Sequence, residues 1–189
     1  MADTKLPVIN LLAGPGTGKS TTAAGVFHEL KSAGINAELV TEYAKDKVWD
    51  KHFSILDNQL YILAKQFQRL NRLIDQVDIV VTDSPLILSW YYNQGSMSQG
   101  QIGYHFDGLV KSLFEMFDNH NFFLVREKVY NPKGRMQTEK EAKNIDVVLK
   151  QMLDTRGIPY MEAPGNKDAV KLITRYAMVM LGKEERLRI

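Results

Sequence analysis

The sequence predicts an α/β fold, a three-layer sandwich in which a five-stranded parallel sheet lies between two layers of helices. Two observations lead to this prediction. Short apolar stretches that suit buried strands alternate along the chain with longer stretches in which apolar residues recur every three or four positions. In addition, a glycine-rich turn follows the first apolar stretch and precedes a helix-like stretch, which is typical of a strand–loop–helix unit.

Five stretches are predicted to be strands. Ile79–Asp83 is the clearest of them, because it is short, apolar and ends in a carboxylate. Continuous apolar stretches of this kind are typical of parallel strands that are covered on both faces. The full set is Pro7–Ala13, Asn36–Thr41, Ile79–Asp83, Phe122–Val125 and Tyr160–Ala163.

Helices are predicted between these strands. Gly34 should end the first helix, since glycine is favoured just past a helix end. Thr138-Glu139-Lys140-Glu141 matches a capping box, which predicts that a helix begins there and runs to about Thr155. The predicted helices are Lys19–Ala33, Asp57–Gln76, Gly108–Phe117, Thr138–Thr155 and Lys167–Leu181, with a loop or broken helix over Ser89–Gly103.

The composition narrows the class of protein. With 189 residues, 44% apolar and 24% charged, we expect one globular domain over residues 1–189. The absence of cysteine excludes disulfides, zinc–thiolate sites and thiol nucleophiles, and it suits the cytoplasm. A net charge of +2 argues against a generic polyanion binder, and the apolar stretches are too short to span a membrane.

The glycine-rich turn is the most specific motif in the chain. Ala13–Ser20 matches the Walker A pattern, with Ala13 in place of its first glycine, and it lies between a predicted strand and a predicted helix as that motif requires. The glycines allow successive backbone N–H groups to point at one anion, and the helix that follows adds its positive N-terminal end. The sequence therefore predicts a phosphate-binding loop for ATP.

Each residue of this loop has an expected task. Lys19 should contact the β- and γ-phosphates, the Ser20 hydroxyl should ligate Mg²⁺, and Thr21 should lie at the α-phosphate. The complete predicted ATP-binding set is Gly14, Pro15, Gly16, Thr17, Gly18, Lys19, Ser20 and Thr21.

Two carboxylates follow predicted strands at the edge of the sheet where ligands of open α/β folds bind. Asp83 ends a Walker B-like strand, so it can hold Mg²⁺ or accept a proton; a helix cap is the alternative. Glu42 ends the second strand, where a carboxylate can face the acceptor hydroxyl; a solvated loop residue is the alternative. Which of the two is the general base stays open.

Two other classes of P-loop protein fit the residues poorly. Ser84 stands where motor and AAA-type ATPases need a carboxylate to activate water, so steady hydrolysis is disfavoured. In a GTPase, Asp83 would begin the motif Asp-x-x-Gly, which this chain lacks. The guanine-binding motif Asn-Lys-x-Asp would begin at Asn166, but the chain has Ala169 where that motif needs an aspartate.

A basic loop near residues 126–138 is predicted to act as a lid, because phosphoryl transfer needs charge neutralisation and exclusion of water. Arg126 and Arg135 are its candidate phosphate ligands, against the alternative of a solvated basic loop. Arg69 could contact an acceptor phosphate, or it could be an ordinary surface arginine. Trp90, Tyr91 and Tyr92 could stack on an acceptor base or form a core cluster.

Taken together, these motifs make the chain resemble the P-loop kinase superfamily of nucleoside and nucleotide kinases. Within it, the chain is most similar to ribosylnicotinamide-kinase-like proteins and to P-loop kinases of bacteriophages. The likeness covers the phosphate loop, Thr41–Lys45, Asp83–Pro85 and Tyr130–Arg135 before the capped helix. The resemblance implies that Glu42 or Asp83 is the base and that lid arginines hold phosphates.

The resemblance also implies partners and a location. The expected reaction transfers a phosphoryl group from ATP·Mg²⁺ to a hydroxyl of a nucleoside- or nucleotide-type acceptor, in the cytoplasm, or in the host cytoplasm if the chain is phage-encoded. Asp83-Ser84-Pro85 replaces the Asp/Glu-Arg-Ser triplet of deoxynucleoside kinases, which argues against a plain deoxynucleoside. The alternatives are a phage kinase that acts on 5-hydroxymethylpyrimidines in DNA or on polynucleotide ends, and a non-catalytic nucleotide-binding switch.

Overall fold

The fold of the chain is described here from a computed structural model that covers residues 5–93, 99–127, 130–131 and 137–186. Five strands form one parallel sheet in the order β2-β3-β1-β4-β5, which confirms the predicted five-stranded α/β sandwich. The strands are β1 Pro7–Leu12, β2 Ala37–Val40, β3 Ile79–Thr82, β4 Asp118–Val125 and β5 Met161–Pro164.

Seven α-helices lie among the described residues, and most of them connect one strand to the next. They are α1 Lys19–Ser32, α2 Tyr43–Trp49, α3 Gln59–Asn71, α4 Leu88–Tyr92, α5 Gly100–Phe114, α6 Glu139–Thr155 and α7 Lys167–Met180, with 3₁₀ turns at Phe53–Asp57 and Glu184–Arg186.

The sheet separates two apolar cores, because successive side chains of a strand point to opposite faces. Val8 and Leu12 of β1 pack with helices α3, α5 and α6 on one face. Ile9 and Leu11 pack with helices α1 and α7 on the other face. The middle strand, β1, is therefore buried on both sides.

Several predicted boundaries were wrong. Helix α5 begins at Gly100 rather than Gly108, and strand β4 begins at Asp118 rather than Phe122. Helices α4 and α5 each cover part of Ser89–Gly103, which agrees with the predicted broken helix rather than with a loop. Helix α3 ends at Asn71, several residues before Gln76. Polar residues at these ends weaken the apolar periodicity on which such predictions depend. Within the described part of the chain, no helix is long and apolar enough to cross a membrane.

Candidate nucleotide and phosphoryl-transfer site

The phosphate loop lies between the end of β1 at Leu12 and the start of α1 at Lys19. Gly16 has a φ of 82° and Gly18 a φ of 110°, values that residues with a Cβ rarely adopt. Gly18 is the N-cap of α1, so the helix directs its first N–H groups at the loop. The backbone thus has the conformation that an anion-binding nest requires.

Two threonines flank the centre of this loop. The Thr17 hydroxyl is buried and donates a hydrogen bond to the Gly14 carbonyl over 3.0 Å, so it closes the loop on itself. Thr21 lies exposed in the first turn of α1. Of the two side chains, only that of Thr21 is accessible to a ligand.

Lys19 is half-buried and its Nζ donates to the Ala13 carbonyl over 2.7 Å. Burial lowers the pKa of Lys19, whereas the nearby negative charges of Glu42 and Asp83 act to raise it. The ammonium group therefore lies at the loop, within electrostatic reach of both carboxylates that the sequence singled out.

The side chains of Ser20 and Asp83 are hydrogen-bonded to each other at the carboxyl end of the parallel strands. The Ser20 hydroxyl donates to Asp83 Oδ2 over 2.5 Å. Asp83 is only 3% exposed, and its other oxygen, Oδ1, has no hydrogen-bond partner among the described residues. A buried carboxylate oxygen without a partner is costly unless a cation or a donor satisfies it, so this pair fits a Mg²⁺ ion.

No group of three or more His, Asp or Glu side chains in the described residues could hold a metal by itself.

Glu42 follows β2 directly and is the N-cap of helix α2. Its side chain makes no capping hydrogen bond. Burial raises the pKa of Glu42, the charge of Lys19 acts to lower it, and that of Asp83 acts to raise it. Its carboxylate therefore belongs to the same charged cluster as Lys19 and Asp83.

Arg126 lies at the end of β4, against the phosphate loop. Its Nη1 donates to the Pro15 carbonyl over 2.9 Å, and its Nε donates to Asp146 Oδ2 over 3.0 Å. Asp146 Oδ1 accepts the Gly14 N–H over 2.5 Å. Asp146 lies on α6 and joins Arg126 to the phosphate loop, and it was not predicted from the sequence.

Two further residues contact the phosphate loop, and neither contact was predicted. A Cβ on Gly16 would lie 3.0 Å from ring carbons of Tyr130, a residue of the predicted lid loop, so this tyrosine packs directly on the phosphate loop. A Cβ on Gly165 would lie 2.5 Å from the Val125 carbonyl and 3.0 Å from that of Thr17, so only glycine permits this approach. Gly165 lies far from the phosphate loop in sequence, and no local pattern marks it.

A cavity of about 530 Å³ opens beside Arg126, between β4 and α6. Charged side chains dominate its wall, among them Arg126, Glu139, Lys143, Asp146 and Lys150. Arg135, the second lid arginine predicted from the sequence, lies outside the described residues, as does much of the predicted lid loop.

Two of the other candidates have structural partners. Arg69 pairs with Asp46 and donates to the Thr41 carbonyl over 3.0 Å. Trp90 is 8% exposed, and its ring lies 4.2 Å from the Arg156 guanidinium, so it is a core residue. Tyr92 is 42% exposed and lies within electrostatic reach of Glu42.

Comparison with known proteins gives a family and a fold. The profile of the AAA domain family matches residues 8–169, which is most of the chain. No curated protein sequence matches the chain.

Among solved structures, a NadR protein in complex with NR superimposes with a TM-score of 0.67 at 16% sequence identity, over 90% of this chain and 51% of that one. A NadR protein in complex with NAD and AMP-PNP superimposes with a TM-score of 0.67 at 15% identity, over 97% of this chain and 51% of that one. The chain thus spans about half the length of these proteins, and the likeness confirms the P-loop kinase fold.

Proposed function

This chain belongs to the AAA domain family, and within it we propose that the chain is an ATP-dependent kinase, because Ser84 stands where AAA-type ATPases need a carboxylate to activate water. The reaction transfers the γ-phosphoryl group of ATP to a hydroxyl of a nucleoside- or nucleotide-type acceptor. The observation that supports this most is the charged cluster of Glu42, Lys19 and Asp83 at one edge of the sheet. A carboxylate beside the phosphate-binding lysine and the candidate metal ligand is placed to act as a base toward an acceptor hydroxyl.

Residues 1–189 then form a single kinase domain with a lid loop near 126–138. The backbone of Gly14–Thr21 binds the phosphates of ATP, and Lys19 neutralises charge on the group that is transferred. Ser20 and Asp83 would hold a magnesium ion, which would supply further neutralisation of the phosphate oxygens. Arg126 and Arg135 contact phosphates from the lid side.

In the transfer step, the Glu42 carboxylate accepts the proton of the acceptor hydroxyl. The hydroxyl oxygen forms a bond to the γ-phosphorus as the bond between that phosphorus and the bridging oxygen of ADP breaks, and ADP leaves. Because burial raises its pKa, Glu42 is a stronger base than an exposed glutamate. Asp83 is engaged by Ser20, which leaves Glu42 as the better candidate for the base.

The surroundings of Glu42 favour an uncharged hydroxyl over a phosphate as the acceptor group. Arg69, the arginine that the sequence offered for an acceptor phosphate, is already paired with Asp46. A second carboxylate, Asp83, adds negative charge near Glu42 and would repel an incoming phosphate. The NR of the similar NadR complex is nicotinamide riboside, a nucleoside with free hydroxyls, and it is therefore the first acceptor to test.

The deciding experiment measures ADP release and the phosphorylated product with ATP, Mg²⁺ and one acceptor at a time. The acceptors are nicotinamide riboside, common nucleosides, mononucleotides, hydroxymethylated DNA and DNA with free 5′-hydroxyl ends. Product only from nucleosides supports the proposal, and product only from DNA supports the phage-type alternative. ATP binding without ADP release for any acceptor would contradict a kinase and favour a nucleotide-binding switch.

A further inference from the structure

Gln66 of helix α3 is a buried polar residue that neither the phosphate loop nor the charged cluster accounts for. It is only 4% exposed. A buried amide lowers stability unless its donor and its acceptor both find partners. Both partners of Gln66 lie at the junction between β2 and α2, where Glu42 is located.

The two hydrogen bonds of Gln66 flank Glu42. Its Oε1 accepts the Tyr43 N–H over 3.0 Å, and its Nε2 donates to the Thr41 carbonyl over 3.3 Å. That N–H belongs to the peptide group after Glu42, and that carbonyl belongs to the peptide group before it. One side chain therefore binds both peptide groups of a single residue and fixes the direction of its Cα–Cβ bond.

This arrangement fixes the backbone on both sides of Glu42, and the Glu42 side chain takes no part in capping the helix. An N-cap side chain such as that of aspartate often accepts the N–H of the second or third helical residue. Glu42 makes no such bond, and Gln66 accepts the N–H of the first helical residue, Tyr43. The Glu42 carboxylate is therefore not used by α2, and it lies within electrostatic reach of Lys19.

A second residue of α3 supports the same junction. Arg69 donates to the Thr41 carbonyl over 3.0 Å, and its guanidinium lies 5.2 Å from the centre of the Tyr43 ring. Arg69 lies three positions after Gln66, so the two side chains project from the same face of the helix. Helix α3 therefore reaches the Glu42 junction at two points.

We propose that Gln66 is a positioning residue, which holds Glu42 in the site by binding the peptide groups on both sides of it. This proposal rests on the proposed role of Glu42 as the base. The acceptor class and the phosphate loop do not enter into it.

The test compares Gln66→Met with the matched control Gln59→Met. Methionine keeps the length of the side chain and removes both hydrogen bonds. Gln59 is another buried glutamine of α3, but its amide donates to the Leu56 carbonyl, away from Glu42. Each substitution is made in the wild-type chain and in Glu42→Gln.

In the wild-type chain, Gln66→Met should lower kcat about 10- to 100-fold through misplacement of the base, with little change in the KM for ATP. In the Glu42→Gln background the same substitution should change kcat less than about twofold, because the group it positions has already lost its function. Gln59→Met should change kcat by the same small factor in the wild-type chain and in Glu42→Gln. An equal loss from Gln66→Met in both backgrounds would show a merely structural role and overturn the proposal.

Amide hydrogen exchange at Tyr43 gives a readout that does not need activity. Loss of the Gln66 acceptor should accelerate exchange of this N–H at least about tenfold, and Gln59→Met should leave it unchanged. Unchanged exchange in Gln66→Met would contradict the proposal. If no acceptor is phosphorylated at all, the proposed function fails, and the exchange rate still decides whether Gln66 holds the Glu42 junction.

Discussion

At the scale of single residues, the proposed site depends on one half-buried glutamate, Glu42, which lies within electrostatic reach of Lys19 and Asp83. Burial raises the pKa of Glu42, and the positive charge of Lys19 offsets only part of that effect. The carboxylate is therefore poised as a proton acceptor, and it remains close to the lysine that would bind the transferred phosphate.

Glu42→Gln keeps the shape of this side chain and removes its basicity. With a hydroxyl acceptor we expect kcat to fall by about 10² to 10⁴, the usual contribution of a general base, with little change in the KM for the acceptor. Glu38→Gln, on strand β2 before the junction, is the matched control. A full rate in Glu42→Gln would leave Asp83 as the base. With a mononucleotide acceptor the effect should be mild, since a phosphate oxyanion needs no base.

The raised pKa of Glu42 also predicts a pH dependence. The base form appears only as the pH rises through this pKa, so kcat should fall on the acid side at a higher pH than an ordinary glutamate would give. The acid limb should be absent from the residual activity of Glu42→Gln. If kcat falls on the acid side at the same pH in both enzymes, the titrating group is another residue.

Loss of the Asp83 carboxylate should affect catalysis more than it affects ATP binding. Asp83→Asn cannot neutralise a magnesium ion, so we expect kcat to fall far more than the affinity for ATP. Asp118→Asn, an exposed aspartate at the opposite end of the sheet, is its control. Unchanged kcat together with unchanged magnesium dependence would remove Asp83 from the site.

Lys19→Ala should abolish transfer with the fold intact, because the lysine contributes charge to the phosphate loop. Circular dichroism and the unfolding midpoint check the fold, and product formation checks the activity. A mutant that turns over at the wild-type rate would show that the nucleotide site is misassigned.

At the scale of elements, the phosphate loop is supported from outside by β4 and α6. Arg126 and Asp146 form an ion pair in which the side chains are 9% and 16% exposed, and both bind backbone groups of the loop. Removal of one partner of a buried pair leaves the other charge uncompensated. The pair therefore links the stability of the chain to the shape of the loop.

Asp146→Asn should lower the free energy of unfolding by about 2–4 kcal/mol, because Arg126 then lacks its anion. It should also raise the KM for ATP, as the loop loses part of its support. Asp107→Asn is the matched control, since Asp107 pairs with Arg156 at the surface. That exposed pair should be worth less than about 1 kcal/mol in urea unfolding. Equal losses in the two variants would contradict a special role for Asp146.

The elements also show what the sequence could predict. Helix α6 was predicted from its capping box, and the structure confirms that Thr138 and Glu141 exchange both hydrogen bonds. Helix α2 was missed, because it is seven residues long, has no buried residue and is supported by contacts with α3 and with the 3₁₀ turn at Phe53–Asp57. Local patterns therefore predict elements that stabilise themselves and miss those that neighbours stabilise.

The same distinction holds in the site. Predicted strands lead into Gly14–Ser20, Glu42 and Asp83. The rule that ligands bind at the carboxyl ends of parallel strands was therefore enough to predict that these residues lie at the same end of the sheet. Asp146 lies 132 residues after Gly14 in the middle of a helix, where an acidic residue carries no signal of its own. Only the packing of α6 on the sheet reveals its contact with the loop.

At the scale of the whole molecule, the strand order places β1 between β3 and β4, so one strand carries the loop and its neighbours carry Asp83 and Arg126. The register of β1 against β4 is thus important for the site. A buried amide lies in this strand pair: Asn10 of β1 is 1% exposed and lies opposite Asn121 of β4. A polar residue in an otherwise apolar core can specify one register among several, because other pairings leave it without partners.

The last prediction concerns this amide network. Asn10 Nδ2 donates to Asn119 Oδ1 over 2.9 Å and to Asn121 Oδ1 over 3.0 Å. Asn10→Leu keeps the approximate volume and deprives two acceptors of their donor, so the free energy of unfolding should fall by about 1–3 kcal/mol. Ile9→Val, on the other face of β1, is the control for side-chain packing and should cost about 0.5–1.5 kcal/mol.

Urea unfolding measures both variants of β1, and binding of a non-hydrolysable ATP analogue tests the site. The analogue should bind Asn10→Leu with unchanged affinity if the register is kept, since Asn10 lies within β1 and is not itself part of the phosphate loop. Weaker binding together with lower stability would show that the network sets the register on which the site depends. A variant as stable as the wild type would show that the buried amides contribute no net stability, because an apolar side chain then replaces them without loss.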